Sequence, residues 1–329
     1  MATTTTSQVA PGTQAFYDRN LLERAKPAEV HGRFGQKRPI AKKSGNQIKF
    51  RKYSALAAAT TALTEGVTPS GSQLSVTDIT ASLAQYGDFI TLSDVVDMVN
   101  QDPVVTEATD VLGDQAGLTI DQVRRDVLVA GTNVAYANAV ANRAAVNVAV
   151  TAADLNKVIR FLKNQNAKFM KEGIPPSTGV GTGAIRKAYV AVIHPDVEFD
   201  IESITGFKPV SDYPSQMGVM EDEIGAYKNI RFVSSTNAKV FSGAGAAGTT
   251  VYKNNGANFD VYATLIFGAD AYGVCPLSGE AMQTIVKPLG SAGSADPLDQ
   301  RSSVGWKAMT TTKILQEAWM LRLESGASI

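Results

Sequence analysis

KPAEVHGRFGQKRPIAKKSG, residues 26–45, has no pattern from which a core could be built. Pro27, Pro39, Gly32, Gly35 and Gly45 interrupt any helix or ladder, while Lys26, Arg33, Lys37, Arg38, Lys42 and Lys43 stand against one acid, Glu29. A stretch so basic and so poor in apolar side chains is predicted to run extended, as an arm. Twenty extended residues reach about 65 Å at about 3.3 Å each, whereas a compact body of this length has a radius of gyration of about 20 Å. The arm is therefore long enough to leave its own subunit. Toward the N-terminus, residues 1–12 are small and polar and predict a disordered tail. A short helix follows, with Thr13 as cap and Phe16, Tyr17, Leu21 and Leu22 on one face. At about three turns it cannot stand alone in water and must dock on its own body or on another. Toward the C-terminus, Gln47 to Tyr53 alternates Ile48, Lys49, Phe50 and Arg51, a strand with one basic and one apolar face.

Charge is sorted along the chain. Residues 1–52 hold eleven Lys/Arg and three Asp/Glu, residues 53–150 hold three and eleven, and residues 151–329 hold seventeen of each. The net charge of zero thus conceals blocks of +8 and −8, a self-complementary pattern that points to contact between copies of the chain. With 329 residues, 44% of them hydrophobic, the chain can bury a large core in two or three domains. The single cysteine, Cys275, excludes an internal disulfide and a thiolate-rich metal site, and reads as a buried thiol in a strand. No run approaches the roughly 18 apolar residues of a membrane span. Met1 to Pro11 lacks the charged and apolar regions of a secretory signal, so synthesis and folding in the cytoplasm are expected.

The turn residues Glu65-Gly66-Val67-Thr68-Pro69-Ser70-Gly71 precede a β pattern over 73–93 that carries Leu74, Val76, Ile79, Leu83, Phe89 and Leu92. Residues 54–92 are therefore predicted to form a projecting loop that feeds a long strand or hairpin. Helical spacing starts at Ser93 or Asp94 and, after Asp102-Pro103, runs to about Asn142 as a long helix broken once, weakened at Gly113 and Gly117. Beyond it, Thr151 to Lys171 predicts a helix with Leu155, Val158, Ile159 and Leu162 inward, Ile185 to His194 an apolar strand, and Pro195 to Ile204 a short helix. Short strands are expected at Ile230–Ser234, Val251–Tyr252, Tyr262–Phe267 and Met282–Lys287, with long loops at 173–183 and 243–256. The segments Val304–Thr312 and Lys313–Glu324 are expected to pair with each other. The whole reads as α+β.

Motifs for chemistry fail on context. A GxGxxG occurs at Gly243, Gly245 and Gly248, but Thr249-Thr250-Val251-Tyr252 follows, a strand instead of the helix whose amides would hold a phosphate. The stretch Gly179 to Lys187 lacks the Gly-Lys-Ser/Thr ending of a phosphate loop. His31 and His194 have no partner at metal-ligand spacing, and His194 reads as a strand-end residue. No Ser stands in a GxSxG elbow, Cys275 has no activating partner, and Glu221-Asp222-Glu223 reads as a solvated turn. No catalysis and no cofactor are expected. Lys37-Arg38 and Lys42-Lys43, with Phe34 and Phe50, could serve phosphates, so nucleic-acid binding by the arm stays open; the equal acidic block favours contact with protein.

Several segments together resemble a known family: Tyr17-Asp18-Arg19-Asn20-Leu21-Leu22-Glu23-Arg24-Ala25, Phe34-Gly35-Gln36-Lys37-Arg38, Leu63-Thr64-Glu65-Gly66-Val67-Thr68-Pro69, Gln85-Tyr86-Gly87-Asp88-Phe89, Asp296-Pro297-Leu298-Asp299-Gln300-Arg301 and Val304-Gly305-Trp306-Lys307. They look like the major capsid proteins of podophages related to phage N-four. The resemblance implies the shell fold shared by tailed phages and herpesviruses, with an N-terminal arm (1–52), an extended loop with a peripheral-domain strand (53–92), a spine helix (93–150), an axial domain (151–290) and C-terminal strands completing the peripheral domain (291–329). It implies a shell of pentamers and hexamers around double-stranded DNA, assembled in the host bacterial cytoplasm, with a separate scaffolding protein, a portal and a decoration protein as partners. The alternatives are a cellular nanocompartment of the same fold and a DNA-binding protein that uses the arm. Candidate contacts between subunits are Arg33, Lys37, Arg38, Lys42 and Lys43 in the arm, Glu65 in the loop, and Asp94, Asp97 and Asp102 on the acidic spine.

Overall fold

The computed structural model describes residues 29–41, 43, 45–99, 104–177, 183–248, 254–256, 258–277, 282–291 and 296–329. The expected tail and short helix before residue 29, the strand at 251–252, Lys42, Asp102 and the side chain of Asp97 lie outside the described residues.

The arm's root does not run free. Residues Gln36–Lys37 (β1) add in parallel to the edge of a sheet through Tyr272–Pro276 (β14), and Arg38 and Ile40 continue the ladder by donating to the carbonyls of Val274 and Pro276, each at 3.0 Å. Val30, His31 and Ile40 are buried. Strands Gln47–Tyr53 (β2) and Val76–Ser82 (β3) form where β pattern is expected, and they pair antiparallel with each other across 54–75, a pairing the alternation does not predict. The base of this hairpin packs Phe50 and Ala81 on Ile40 and Cys275, and Phe50 sits so close to Gly273 that any side chain there would meet its ring. Between the two strands, every residue from 54 to 75 is exposed.

Strand Ala84–Ser93 (β4) runs along the long strand Arg301–Ile314 (β16), whose other edge is shared by Gln283–Lys287 (β15) and then β14. Even-numbered residues of β16 point to one face, where Val304, Trp306 and Ala308 meet the long helix Val104–Val129 (α2); a six-residue helix, Asp94–Val99 (α1), precedes it. Gly113 and Gly117 do not interrupt α2. They lie on its buried face with Ala108 and Ala116, where small side chains let helix and sheet approach; the roughly 1 kcal/mol each that glycine costs a helix interior is offset by packing.

The helix also stops early, at Val129 and not near Asn142. Gly131 closes the last turn on the Leu128 carbonyl, and Val134–Tyr136 (β5) leaves to pair in parallel with Met320–Ser325 (β17). That second, eight-stranded sheet has the order β5, β17, Val261–Phe267 (β13), Tyr189–Ile193 (β6), Ile230–Ser234 (β9), Glu223–Tyr227 (β8), Phe207–Pro209 (β7), with Val240–Phe241 (β10) beside β13. Two-residue strands Asn254–Asn255 (β11) and Asn258–Phe259 (β12) form a separate small pair. One face carries the helices Ala152–Asn164 (α3) and Pro195–Glu202 (α4); the other meets the arm root, the end of α2 and β14. Covered on both faces, β6 is an unbroken apolar run.

α3 starts at a capping box, Thr151 with Asp154, and ends seven residues before the expected Lys171, near Asn166, whose φ of +52° cannot continue a helix. The two C-terminal strands do not pair with each other: β16 belongs to the five-stranded sheet and β17 to the eight-stranded one. Sheet membership therefore cuts across the boundaries expected at 150/151 and 290/291, since β5 joins the later sheet and β14 and β15 the earlier one.

Candidate assembly surfaces

Of the basic candidates, Arg33 is engaged at home: its Nη1 lies 3.3 Å from both Glu221 and Asp222 of the same subunit. Lys37, Arg38 and Lys43 are exposed beside the β14 edge. Glu65 is exposed in the loop, in the turn closed by Val67 donating to the Thr64 carbonyl. Asp94 is half-buried at the start of α1, where its carboxylate accepts from the Val95 amide at 2.8 Å. Within one subunit the described candidates are not brought together; the exposed acids of α2 are instead Glu107, Asp114 and Asp126.

The loop carries more than Glu65. Leu56, Leu63, Val67 and Leu74 are exposed along it, Leu63 at 77%. Single exposed apolar residues are ordinary, but four on one projecting segment with no cover in the subunit mark a surface for another molecule. A second such surface is the outer face of the five-stranded sheet. There Gly87 and Gly305 leave a groove of about 660 Å³ bordered by Phe89, Ile285, Lys287 and Lys307.

A cluster absent from the sequence reading fixes where the arm leaves the body. The His31 amide donates to Asp121 Oδ1 at 2.7 Å, the His31 ring Nδ1 lies 2.8 Å from Asp121 Oδ2, and Asn237 donates to Oδ2 at 2.5 Å. The Tyr272 hydroxyl donates to the His31 carbonyl at 2.6 Å, and Arg124 reaches Glu29 at 2.7 Å. Burial alone would raise the Asp121 pKa, but the hydrogen bonds from His31 and Asn237 outweigh it and hold the carboxyl below its ordinary value. One signal was available: Asp121 and Arg124 fall on the same helical stripe as Ile120 and Leu128, where unpaired charge does not go.

The acidic run 221–223 is only partly a solvated turn. Glu223 begins β8 and its side chain is buried in a bidentate pair with Arg231, 2.5 and 2.6 Å, with Tyr213 donating at 2.8 Å; the strand carries it inward while Glu221 and Asp222 stay out. Cys275 is a buried strand thiol, as the sequence suggests, and burial pushes its pKa up to about 11. Among the described residues, no three His, Cys, Asp or Glu side chains converge as a metal site requires. The prominent features are thus projecting and open surfaces, those of a subunit made to be covered by others.

Comparison with known proteins names that class. The model of a phage capsid protein family matches residues 76–321. Among solved structures, the chain is similar to the capsid of Ralstonia phage GP4 (12% identity, 91% of this chain and 90% of that chain covered, TM-score 0.67). It is likewise similar to the capsid asymmetric unit of cyanophage Pam1 (14%, 93% and 92%, 0.63) and the capsid of cyanophage P-SCSP1u (15%, 89% and 87%, 0.59). Among curated proteins, none matches in sequence. The chain belongs to the phage capsid protein family. It is a structural major capsid protein of tailed-phage type, a component of the virion shell.

Proposed function

We propose that the chain closes an icosahedral shell of pentamers and hexamers around double-stranded DNA, through contacts made by segments that reach beyond their own subunit, and without catalysis. The observation that carries this reading is the loop over 54–75: wholly exposed, apolar at Leu56, Leu63, Val67 and Leu74, and held out by a regular hairpin. On a neighbour, each buried Å² of that apolar surface would supply about 25 cal/mol, while the charges of arm and acidic helix select which surfaces meet. Closed assembly needs one chain to meet several near-equivalent neighbours, and a projecting loop and arm adapt to them better than a rigid patch.

In this reading the five-stranded sheet and α2 form the peripheral domain with its spine. The eight-stranded sheet with α3 and α4 forms the axial domain, which then includes β5 and β17. Lys37, Arg38, Lys42 and Lys43 would face acids of an adjacent subunit, among them Glu65, Asp94, Asp97 and Asp102. A scaffolding protein, a portal, a decoration protein and DNA on the inner face are the partners, with assembly in the host cytoplasm; kinship with podophages related to phage N-four rests on the residues that carry that resemblance. Electron microscopy of the purified full-length chain tests the proposal. Rings or closed shells are expected, and a chain that stays monomeric and binds DNA in a strongly salt-dependent way would replace this reading by that of an arm-dependent DNA-binding protein.

A further inference from the structure

The neutral stretch 151–329 conceals a second separation of charge. Residues 157–187 carry seven Lys/Arg and one acid, Glu172, whereas residues 196–223 carry eight Asp/Glu and one base, Lys208. Each block includes a helix. Because α3 buries Leu155, Val158, Ile159 and Leu162, its other side presents Lys157, Arg160 and Lys163 as one exposed stripe, three residues apart. Little within the subunit neutralises that stripe. Lys157 Nζ is 3.6 Å from the buried cap residue Asp154, Lys163 donates to the neutral side chain of Asn229 at 2.9 Å, and no ion pair forms at Arg160 among the described residues.

α4 is the counterpart. It buries Val197, Asp200 and Ile201 and turns Phe199 outward, 71% exposed, with Glu198 and Glu202 beside it. An exposed aromatic ring rimmed by acids gains nothing in a monomer, but it has the composition of an interface anchor. Both helices cover the same face of the eight-stranded sheet, α3 reaching the β8–β9 turn where Lys163 donates to Asn229 and α4 reaching β13 where Tyr262 donates to Asp196 at 2.8 Å, and each leaves its charged side uncovered.

We propose that the basic stripe of α3 in one copy docks on the Phe199-centred acidic face of α4 in the next, and that this contact, repeated head to tail, closes the rings of the shell. The proposal rests on the shell reading and adds the surface that makes the ring. A head-to-tail interface joins two different patches of the same subunit, and only such a pair generates a ring by rotation. Here the patches are opposite in charge, so like faces repel and the contact has one polarity. On docking, the guanidinium of Arg160 can cover the Phe199 ring while Lys157 and Lys163 meet Glu198 and Glu202.

The test is charge reversal in the full-length chain: Lys157→Glu, Arg160→Glu and Lys163→Glu together, Glu198→Lys and Glu202→Lys together, and all five combined. Lys157, Arg160, Lys163 and Glu202 are exposed, whereas Glu198 is half-buried and accepts from the Ser234 hydroxyl at 3.1 Å; circular dichroism should show every variant folded at the temperature of the assembly assay. Sedimentation velocity is expected to show rings or shells for the parent chain, at least a tenfold loss of them for each one-sided reversal, and their return in the combined variant. Reversals that assemble like the parent, or a combined variant that does not recover, overturn the proposal. Normal shells with reduced DNA content in the α3 variant do so as well, since that stripe would then serve the polyanion. A parent chain that never assembles overturns the shell reading together with this one, and the two failures are thereby told apart.

Discussion

Asp121 occupies a position where a carboxylate ordinarily does not go, on the buried side of a helix, and it is kept there by the His31 main chain, the His31 ring and Asn237. Because those hydrogen bonds hold its pKa below the ordinary value against the opposing effect of burial, the charged carboxylate is bound more favourably in the folded chain than in the unfolded one. A depressed carboxylate contributes stability that is complete above the unfolded value, about 3.9, and is lost as pH falls through the lower folded value. Asp121→Asn should therefore cost about 1–3 kcal/mol at neutral pH, by leaving His31 and Asn237 with a poorer acceptor, and should flatten the loss of stability below about pH 4. Urea unfolding between pH 2 and 7 measures both. An unchanged acid slope would remove Asp121 as its source. Arg33 makes a related point about surface charge: half-buried and 3.3 Å from two acids of its own chain, it is a weaker candidate for a neighbour than Lys37 or Arg38.

Among the elements, the β2–β3 hairpin separates folding from assembly most cleanly. Its base contributes Phe50 and Ala81 to a core cluster, whereas residues 54–75 cover nothing in the subunit. Replacing 55–74 by an Asn-Gly turn, the pair that best closes a two-residue hairpin, should leave the thermal midpoint within a few degrees and abolish closed shells under the microscope. Shells of normal size from that variant would deny the loop its role. The hairpin's strands were legible, though not their pairing, because alternation is a local property: Gln47–Tyr53 and Ile230–Ser234 form where the pattern puts them, and α4 opens at its Pro-Asp pair. What could not be read is what neighbours decide. Val134 and Ala135 continue a helical stripe in sequence, yet β17 takes them as a strand. The strands β16 and β17 look like a hairpin, but β17 has Met320, Leu321, Leu323 and Glu324 all buried, which only a sheet covered on both faces provides. Likewise His31 has no local pattern that announces Asp121, ninety positions away. The contact candidates were legible as charge, but not the fact that one of them, Arg33, is engaged within its own subunit.

For the molecule as a whole, the zipping of residues 30–40 onto β14 changes what the basic block can do. The reach of about 65 Å computed for a fully extended 26–45 is not available to it, because Gln36 to Ile40 are held in register by the subunit's own ladder. We propose that the chain before residue 29 makes the crossing to a neighbour, while Lys37, Arg38 and Lys43 present their side chains on the surface. Two truncations separate these roles. Removing residues 1–28 leaves Val30, His31 and Ile40 in the core, so the chain should still fold while shell formation falls. Removing 1–45 also strips Val30 and Ile40, each worth about 1.5–3 kcal/mol when buried, and leaves Asp121 buried without His31. That chain should lose about 5 kcal/mol or more and about 10 °C in its thermal midpoint, so its failure to assemble would be a folding defect. Calorimetry and electron microscopy of both chains decide the matter: normal shells from the chain lacking only 1–28 would confine the contacts between subunits to the loop and helix surfaces and leave the leading segment no part in them.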